Sequence, residues 1–391
     1  MNKIVSLPNI YTGLWLIQIL NSSYKFISDS LSVMELCLLL AWSLVIFYKG
    51  VRISIFTSLK PLNNVLGLLT IYGILRMLTN EDLYIYGINR LVNSRYFIIS
   101  HWSSIMPIYV YYYYAAKGKI SEKWIKYWSL VFVACAIAVY YAAQQKAVLV
   151  QLVDPEGFTN NTGYFVLSVL PALMFWRNRD IVKYALMALM LAIVIMCMKR
   201  GAILIGALML LSFFRNVMLN GTAKTKFINI LLVGALLVIG FYIIGEMLST
   251  NEYFKQRLDA TMEGNSSGRD VIYERLWQYM MSEANSIHFL IGLGADGTVK
   301  AIGQVAHNDW IEYFVDMGVL GIVVFLSMWI SLLKKYIHYS GDSLYKLAFA
   351  MILILLFFRT LFSMSLSDIS LYVSCTMGFC LYNQQKRKNI V

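Results

Sequence analysis

The sequence predicts an all-α, polytopic membrane protein with about twelve transmembrane helices and one large extracytoplasmic loop. Three observations carry this. Of 391 residues, 59% are hydrophobic and only 14% are charged, with a mean hydropathy of +0.64, whereas a soluble domain carries about 25% charged residues. The apolar residues gather into runs close to the roughly 20 that a helix needs to cross a hydrocarbon core. The Lys and Arg residues fall in small groups between those runs, which is how loops of a membrane protein are charged. The formal charge of +12 is therefore spread over loops and does not form a nucleic-acid surface.

In chain order, the spans are expected at about 8–24, 30–48, 62–79, 97–115, 127–144, 162–176, 181–198, 201–216, 227–245, 309–333, 345–363 and 367–384. The chain divides into N-terminal transmembrane helices (1–245), an extracytoplasmic loop with short helices (246–308) and C-terminal transmembrane helices (309–391). The first run follows "MNKIVSLPNI" and has no small-residue cleavage site after a compact apolar core, so it reads as a retained helix. The five cysteines, Cys37, Cys135, Cys197, Cys375 and Cys380, all lie in apolar runs without metal-type spacing. They predict packing, and neither a disulfide framework nor a metal site.

Orientation follows from the cations. With both termini cytoplasmic, 20 Lys and Arg residues face inward and 11 outward, with Arg76 and Arg359 inside spans. The loop 246–308, and His307 with it, is then extracytoplasmic. "MKRGA" runs against this rule, because it puts Lys199 and Arg200 in a tight outer turn. Either these cations mark a site at membrane depth or they snorkel to the interface.

The outer loop carries 8 acidic and 5 basic residues, so an anion site there would depend on particular side chains. "NSSGRDVIYERLWQYM" predicts a helix capped by Ser266 or Ser267, with Ile272, Leu276 and Met280 as its apolar stripe. Arg269 falls in the first turn, where the dipole disfavours a cation unless an anion is shared with the helix amides. A local pair with Asp270 or Glu274 is the other reading. "GLGADG" holds Gly292 and Gly294 in a backbone-exposing turn.

Residues 306–321 read "AHNDWIEYFVDMGVLG". Asp309, with Glu312 three residues on, predicts the N-cap of the tenth span. His307 would precede that helix, either as a capping or interface residue or as a base, since neutral imidazole accepts a proton near neutral pH. Gly318 and Gly321 would let a neighbouring helix approach closely.

The run His307, Asn308, nine residues, Gly318, two residues, Gly321 resembles the signature of the bacterial O-antigen ligase and polymerase superfamily. Arg200 in "KRGA", Arg269 in "SGRDVIYERLW" and the Gly292–Gly294 pair are similar to further features of that family, as is the late outer loop. The resemblance implies a C-type glycosyltransferase fold in the bacterial inner membrane, with the active site facing the periplasm. It implies a metal-independent reaction without a cofactor, whose donor is an undecaprenyl-pyrophosphate-linked glycan. The acceptor would be another glycan or the lipid A core, and a chain-length regulator is an implied partner.

On this resemblance, Arg200 and Arg269 would clamp the pyrophosphate, helped by Lys199 or Arg275, while His307 handles the acceptor proton and Asn308 holds the acceptor. No Asp-x-Asp lies in an outer loop, so arginines would replace the metal. A repeat-unit polymerase is the preferred expectation, with an O-antigen ligase as the alternative. A lipid-linked oligosaccharide flippase is the alternative from another class; it would predict related halves and broken helices at mid-membrane depth. The aromatic run "YVYYYY" at 109–114 reads as interfacial belt and helix packing.

Overall fold

The computed structural model describes residues 6–86, 90–151, 160, 162–177, 180–250, 255, 259, 268–282 and 285–388. The helices are α1 (Leu7–Tyr24), α2 (Asp29–Arg52), α3 (Lys60–Thr79), α4 (Tyr96–Ala116), α5 (Glu122–Gln151), α6 (Gly163–Leu167), α7 (Leu170–Leu173), α8 (Asp180–Met196), α9 (Arg200–Asn220) and α10 (Ala223–Thr250). After the expected loop come α11 (Arg269–Ser282), α12 (Ser286–Ile291), α13 (Gly297–Ile302), α14 (Asp309–Ile337), α15 (Ser343–Phe362) and α16 (Leu371–Lys388). A hairpin of β1 (Leu83–Ile85) and β2 (Arg90–Val92), with Leu83 opposite Val92, follows α3.

A helix lies on each of the twelve expected spans. Seven helical stretches among the described residues are long and apolar enough to cross a membrane: Asp29–Arg52, Thr57–Thr79, Glu122–Lys146, Arg200–Asn220, Ala223–Thr250, Asp309–Ile337 and Ser343–Phe362. The sixth expected span is instead two short pieces, α6 and α7, with Pro171 at the start of the second. Proline has no amide hydrogen to donate, which favours a restart over continuation.

Three cores follow from the apolar patterning. The main one joins the long helices, and the aromatic run of α4 lies inside it: Tyr109 and Tyr111 are fully buried. Gly378 of α16 sits where a Cβ would meet the Tyr112 amide at 2.8 Å, so α4 and α16 touch backbone to backbone. The helix-packing part of the expectation for this run is what the burial shows. A second core gathers Leu276 and Met280 of α11, with Ile272 against them, on Ala306 and Val315, so the expected stripe does face inward. A third seats the hairpin on α13 through Ile85, Val92 and Val299.

Helix α14 is broken. Gly318 has φ 62° and ψ −156°, a combination only glycine adopts at low cost. The backbone of Leu290 and Ile291 fills the space a Cβ would need, at 2.4–2.6 Å. Gly292, at φ +77°, lies reciprocally against the Asp316 and Met317 backbone. The carbonyls freed by the break are taken up, with Leu293 N–H donating to Val315 O (2.8 Å) and Gly294 N–H to Asp316 O (2.9 Å). The close approach expected at Gly318 thus comes from a loop and a short helix, not from a transmembrane neighbour.

Candidate functional site

Three helix starts meet at one end of the bundle. Each begins on a residue in the left-handed region: Met198 (φ 54°) before Lys199 and α9, Gly268 (φ 75°) before Arg269 and α11, and His307 (φ 54°) before Asn308 and α14. Such turns re-aim the chain abruptly, and for Met and His they are held only where surrounding packing fixes them. The amides of a helix start present partial positive charge.

His307 is exposed, and the positive charges of Arg269 and Lys199 both act on it. Loss of ring hydration within the site lowers its pKa below the usual histidine value, and repulsion by Arg269 and then Lys199 adds to this. The imidazole is therefore neutral at pH 7, with a lone pair free to accept a proton.

Lys199 is the N-cap of α9 without a side-chain cap bond, and Arg200 is the first residue of that helix. Gly201 packs on Phe362 and on the Tyr164 hydroxyl, which a Cβ would meet at 2.3 Å. Tyr164 in turn lies beneath the Arg359 guanidinium, 5.2 Å from its ring centroid, and within the field of Arg359 and Arg269. The Tyr164 hydroxyl is buried without a hydrogen-bond partner among the described residues. Arg359 is buried and anchored to Asp368, donating to its carbonyl at 2.7 Å and to its carboxylate. The structure thus brings His307, Arg269 and Lys199 within reach of one another's charge, with Arg200 next in the chain after Lys199 as the first residue of α9. Tyr164 and Arg359 are additions that the sequence did not single out for the site.

Other expected roles change. The N-cap of α14 is Asn308 and not Asp309: its Oδ1 accepts from Trp310 N (3.0 Å) and Ile311 N (3.4 Å), and its Nδ2 donates to Leu361 O (3.4 Å). Asn308 therefore positions His307 by fixing the helix start. Asp309 is buried and accepts from the Ser365 and Leu366 amides. Glu312 accepts from Thr298 Oγ1 at 2.6 Å, and Asp316 accepts from Gly297 N at 2.7 Å. These carboxylates are spent on tying α13 and the 363–368 turn to α14.

Gly292 and Gly294 face the α14 backbone, where the Gly294 amide is already committed. Their role here is closure of the helix break; no free phosphate cradle is formed by this pair. Arg275 is exposed and lies six residues after Arg269, so the two leave the helix about 120° apart and do not share a face. Ser266 and Ser267, the expected caps of α11, lie outside the described residues.

Below the site, Arg76 of α3 is fully buried and meets Asp296 at 3.3 Å. Its two terminal nitrogens have no hydrogen-bond partner among the described residues. Burial raises the Asp296 pKa, opposed by Arg76 and Lys300. The Tyr72 hydroxyl of the same helix donates to Ile291 O at 2.5 Å. These bonds fasten the 290–297 loop to α3 and hold the half-helix that carries His307. Among the described residues no group of three His, Cys, Asp or Glu side chains is arranged to hold a metal ion. Compared with protein-family models and with curated proteins, the chain matches none.

Proposed function

We propose that the protein is a metal-independent glycosyltransferase of the bacterial inner membrane that moves an undecaprenyl-pyrophosphate-linked glycan onto a sugar hydroxyl, acting as a repeat-unit polymerase. In this reading both termini are cytoplasmic and the end of the bundle bearing His307 faces the periplasm. The observation that carries it is a neutral, exposed histidine beside Arg269 and Lys199, where three helix starts converge. A proton acceptor beside two cations suits a transfer whose leaving group gathers negative charge.

The acceptor oxygen attacks the anomeric carbon as its proton passes to the His307 imidazole. The bond between that carbon and the phosphate oxygen breaks, and its electron pair leaves with undecaprenyl pyrophosphate. Negative charge grows on the leaving group, so cations already in place lower the barrier most. Arg269 and Arg200 bind the diphosphate, Lys199 adds charge, and Asn308 holds the helix start on which His307 is mounted.

A transporter would also contain a broken helix, and α14 has one. Here the Val315 and Asp316 carbonyls at the break accept from the Leu293 and Gly294 amides, so the break serves the packing of the outer segment.

The test is the surface polysaccharide profile of a host lacking this gene. The polymerase reading expects core plus a single repeat unit, with the ladder restored by the wild type and not by His307→Ala or Arg269→Ala at matched protein levels. Bare core with long chains retained on the carrier would make the protein a ligase. Full complementation by both variants would overturn the site.

A further inference from the structure

The ends of α9, α14 and α15 remote from His307 line a cavity of about 490 Å³. Its α9 lining runs from Ser212 to Asn220, so at the helical rise per residue the cavity lies about 20–30 Å along the helix from Lys199. Its lining includes Arg215, Asn216 and Asn220 from α9, Tyr336 from α14, and Ser343 and Lys346 from the start of α15.

The charge balance there is one-sided. Lys346 stands 5.4 Å from the Tyr336 ring centroid, and no ion pair joins Lys346 or Arg215 to a carboxylate among the described residues. The nearby acid, Asp342, is taken by Arg177 at 2.7 Å, and Arg177 also holds Glu122 at 2.6 Å. The Asn220 amide is held by Asn216, donating to its carbonyl at 3.1 Å and its Oδ1 at 3.0 Å, which leaves the Asn216 amide and the Ser343 hydroxyl as donors on the same lining as the two cations, a set that fits a phosphate. The rim supplies a second, separate indication. Leu219 and Ile337 line the same cavity and are 67% and 58% exposed, at the ends of helices long and apolar enough to cross a membrane. A charged floor with an apolar lip matches a phosphodiester headgroup whose acyl chains leave sideways into the bilayer.

We propose that this cavity is a binding site for the phosphate headgroup of an anionic phospholipid, on the opposite side of the membrane from His307 and independent of the transfer reaction. The lipid would bridge α9 to α15, two helices whose other ends build the His307 site.

The experiment is native mass spectrometry and thermal unfolding of the full chain in nanodiscs of phosphatidylcholine with or without phosphatidylglycerol. Wild type is expected to retain phosphatidylglycerol and to melt higher in its presence. Arg215→Gln/Lys346→Gln is expected to bind it about ten- to thirtyfold more weakly while melting like wild type in phosphatidylcholine alone. Lys334→Gln, which removes an exposed charge at the same end but outside the cavity, should bind as wild type does. Equal retention of phosphatidylcholine, or an unaltered affinity in the double variant, would overturn the site. Stabilisation by inorganic phosphate without any preference for phosphatidylglycerol would overturn the lipid as its source. A double variant that melts lower in phosphatidylcholine would be replaced by Arg215→Lys/Lys346→Arg, expected to keep lipid binding.

Discussion

Replacing Gly318 by alanine tests how the half-helix bearing His307 is held. At φ 62° and ψ −156° a side chain is strained by about 1–3 kcal/mol. The new Cβ would also lie 2.4 Å from the carbonyl carbon of Leu290 and 2.5 Å from its oxygen. Backbone atoms cannot rotate aside, so α12 must withdraw and stretch the Leu293–Val315 and Gly294–Asp316 bonds, each worth about 0.5–1.5 kcal/mol net. The expected loss is about 2–6 kcal/mol, with transfer activity falling alongside because residues 309–317 lose their anchor. Gly67→Ala is the control: nothing lies within 4 Å of its Cβ position in α3, and the change should be neutral or stabilise by up to about 1 kcal/mol. Thermal unfolding in one defined lipid compares them. If Gly318→Ala melts with the wild type, the break is not held by the loop and this account of the site's scaffold fails.

Because hydration loss and the neighbouring cations favour the neutral imidazole, the transfer rate should climb as pH rises through a His307 pKa below about 6.5. At pH 6.5 it should already exceed half of its plateau, and a half-maximum above that value contradicts the assignment. Arg269→Ala should lower the rate by about 10²–10³-fold, Arg269→Lys should recover only part of it, and Arg275→Ala should change little; steady-state kinetics on purified protein separates the three. Asp296→Asn leaves the buried Arg76 charge without its partner and should cost about 3–5 kcal/mol. In unfolding measurements the Arg76→Met/Asp296→Asn pair should be milder than Asp296→Asn alone, whereas additive losses would show the two do not interact.

Much of the fold is legible in the sequence because burial in lipid demands long apolar runs: helical structure lies on every expected span, although seven helices are long and apolar enough to cross a membrane among the described residues and the sixth span is two short pieces. The α11 stripe of Ile272, Leu276 and Met280 is legible for the same reason, since a spacing of four must share a face. The cap of α14 falls on Asn308, one residue before the expected Asp309. Asn and Asp cap equally well, and only the tertiary partners of Asp309, the amides of Ser365 and Leu366, decide between Asn308 and Asp309. Gly292, Gly294 and Gly318 signal unusual backbone, but their sequence cannot say that each packs on another main-chain segment. Arg76 and Asp296 are 220 residues apart, and Tyr164 meets Arg359 from a similarly distant part of the chain. Nothing local announces such pairs; an arginine inside an apolar run signals only that some partner is needed.

The most direct measurement of the central claim uses purified protein in nanodiscs with an undecaprenyl-pyrophosphate-linked repeat unit and excess EDTA, following release of undecaprenyl pyrophosphate and growth of the glycan together. The account expects wild type to release one carrier for each glycosidic bond formed, undiminished by the chelator, and His307→Ala to do neither while still binding donor. Transfer that stops with EDTA, or that His307→Ala sustains at the wild-type rate, would contradict it.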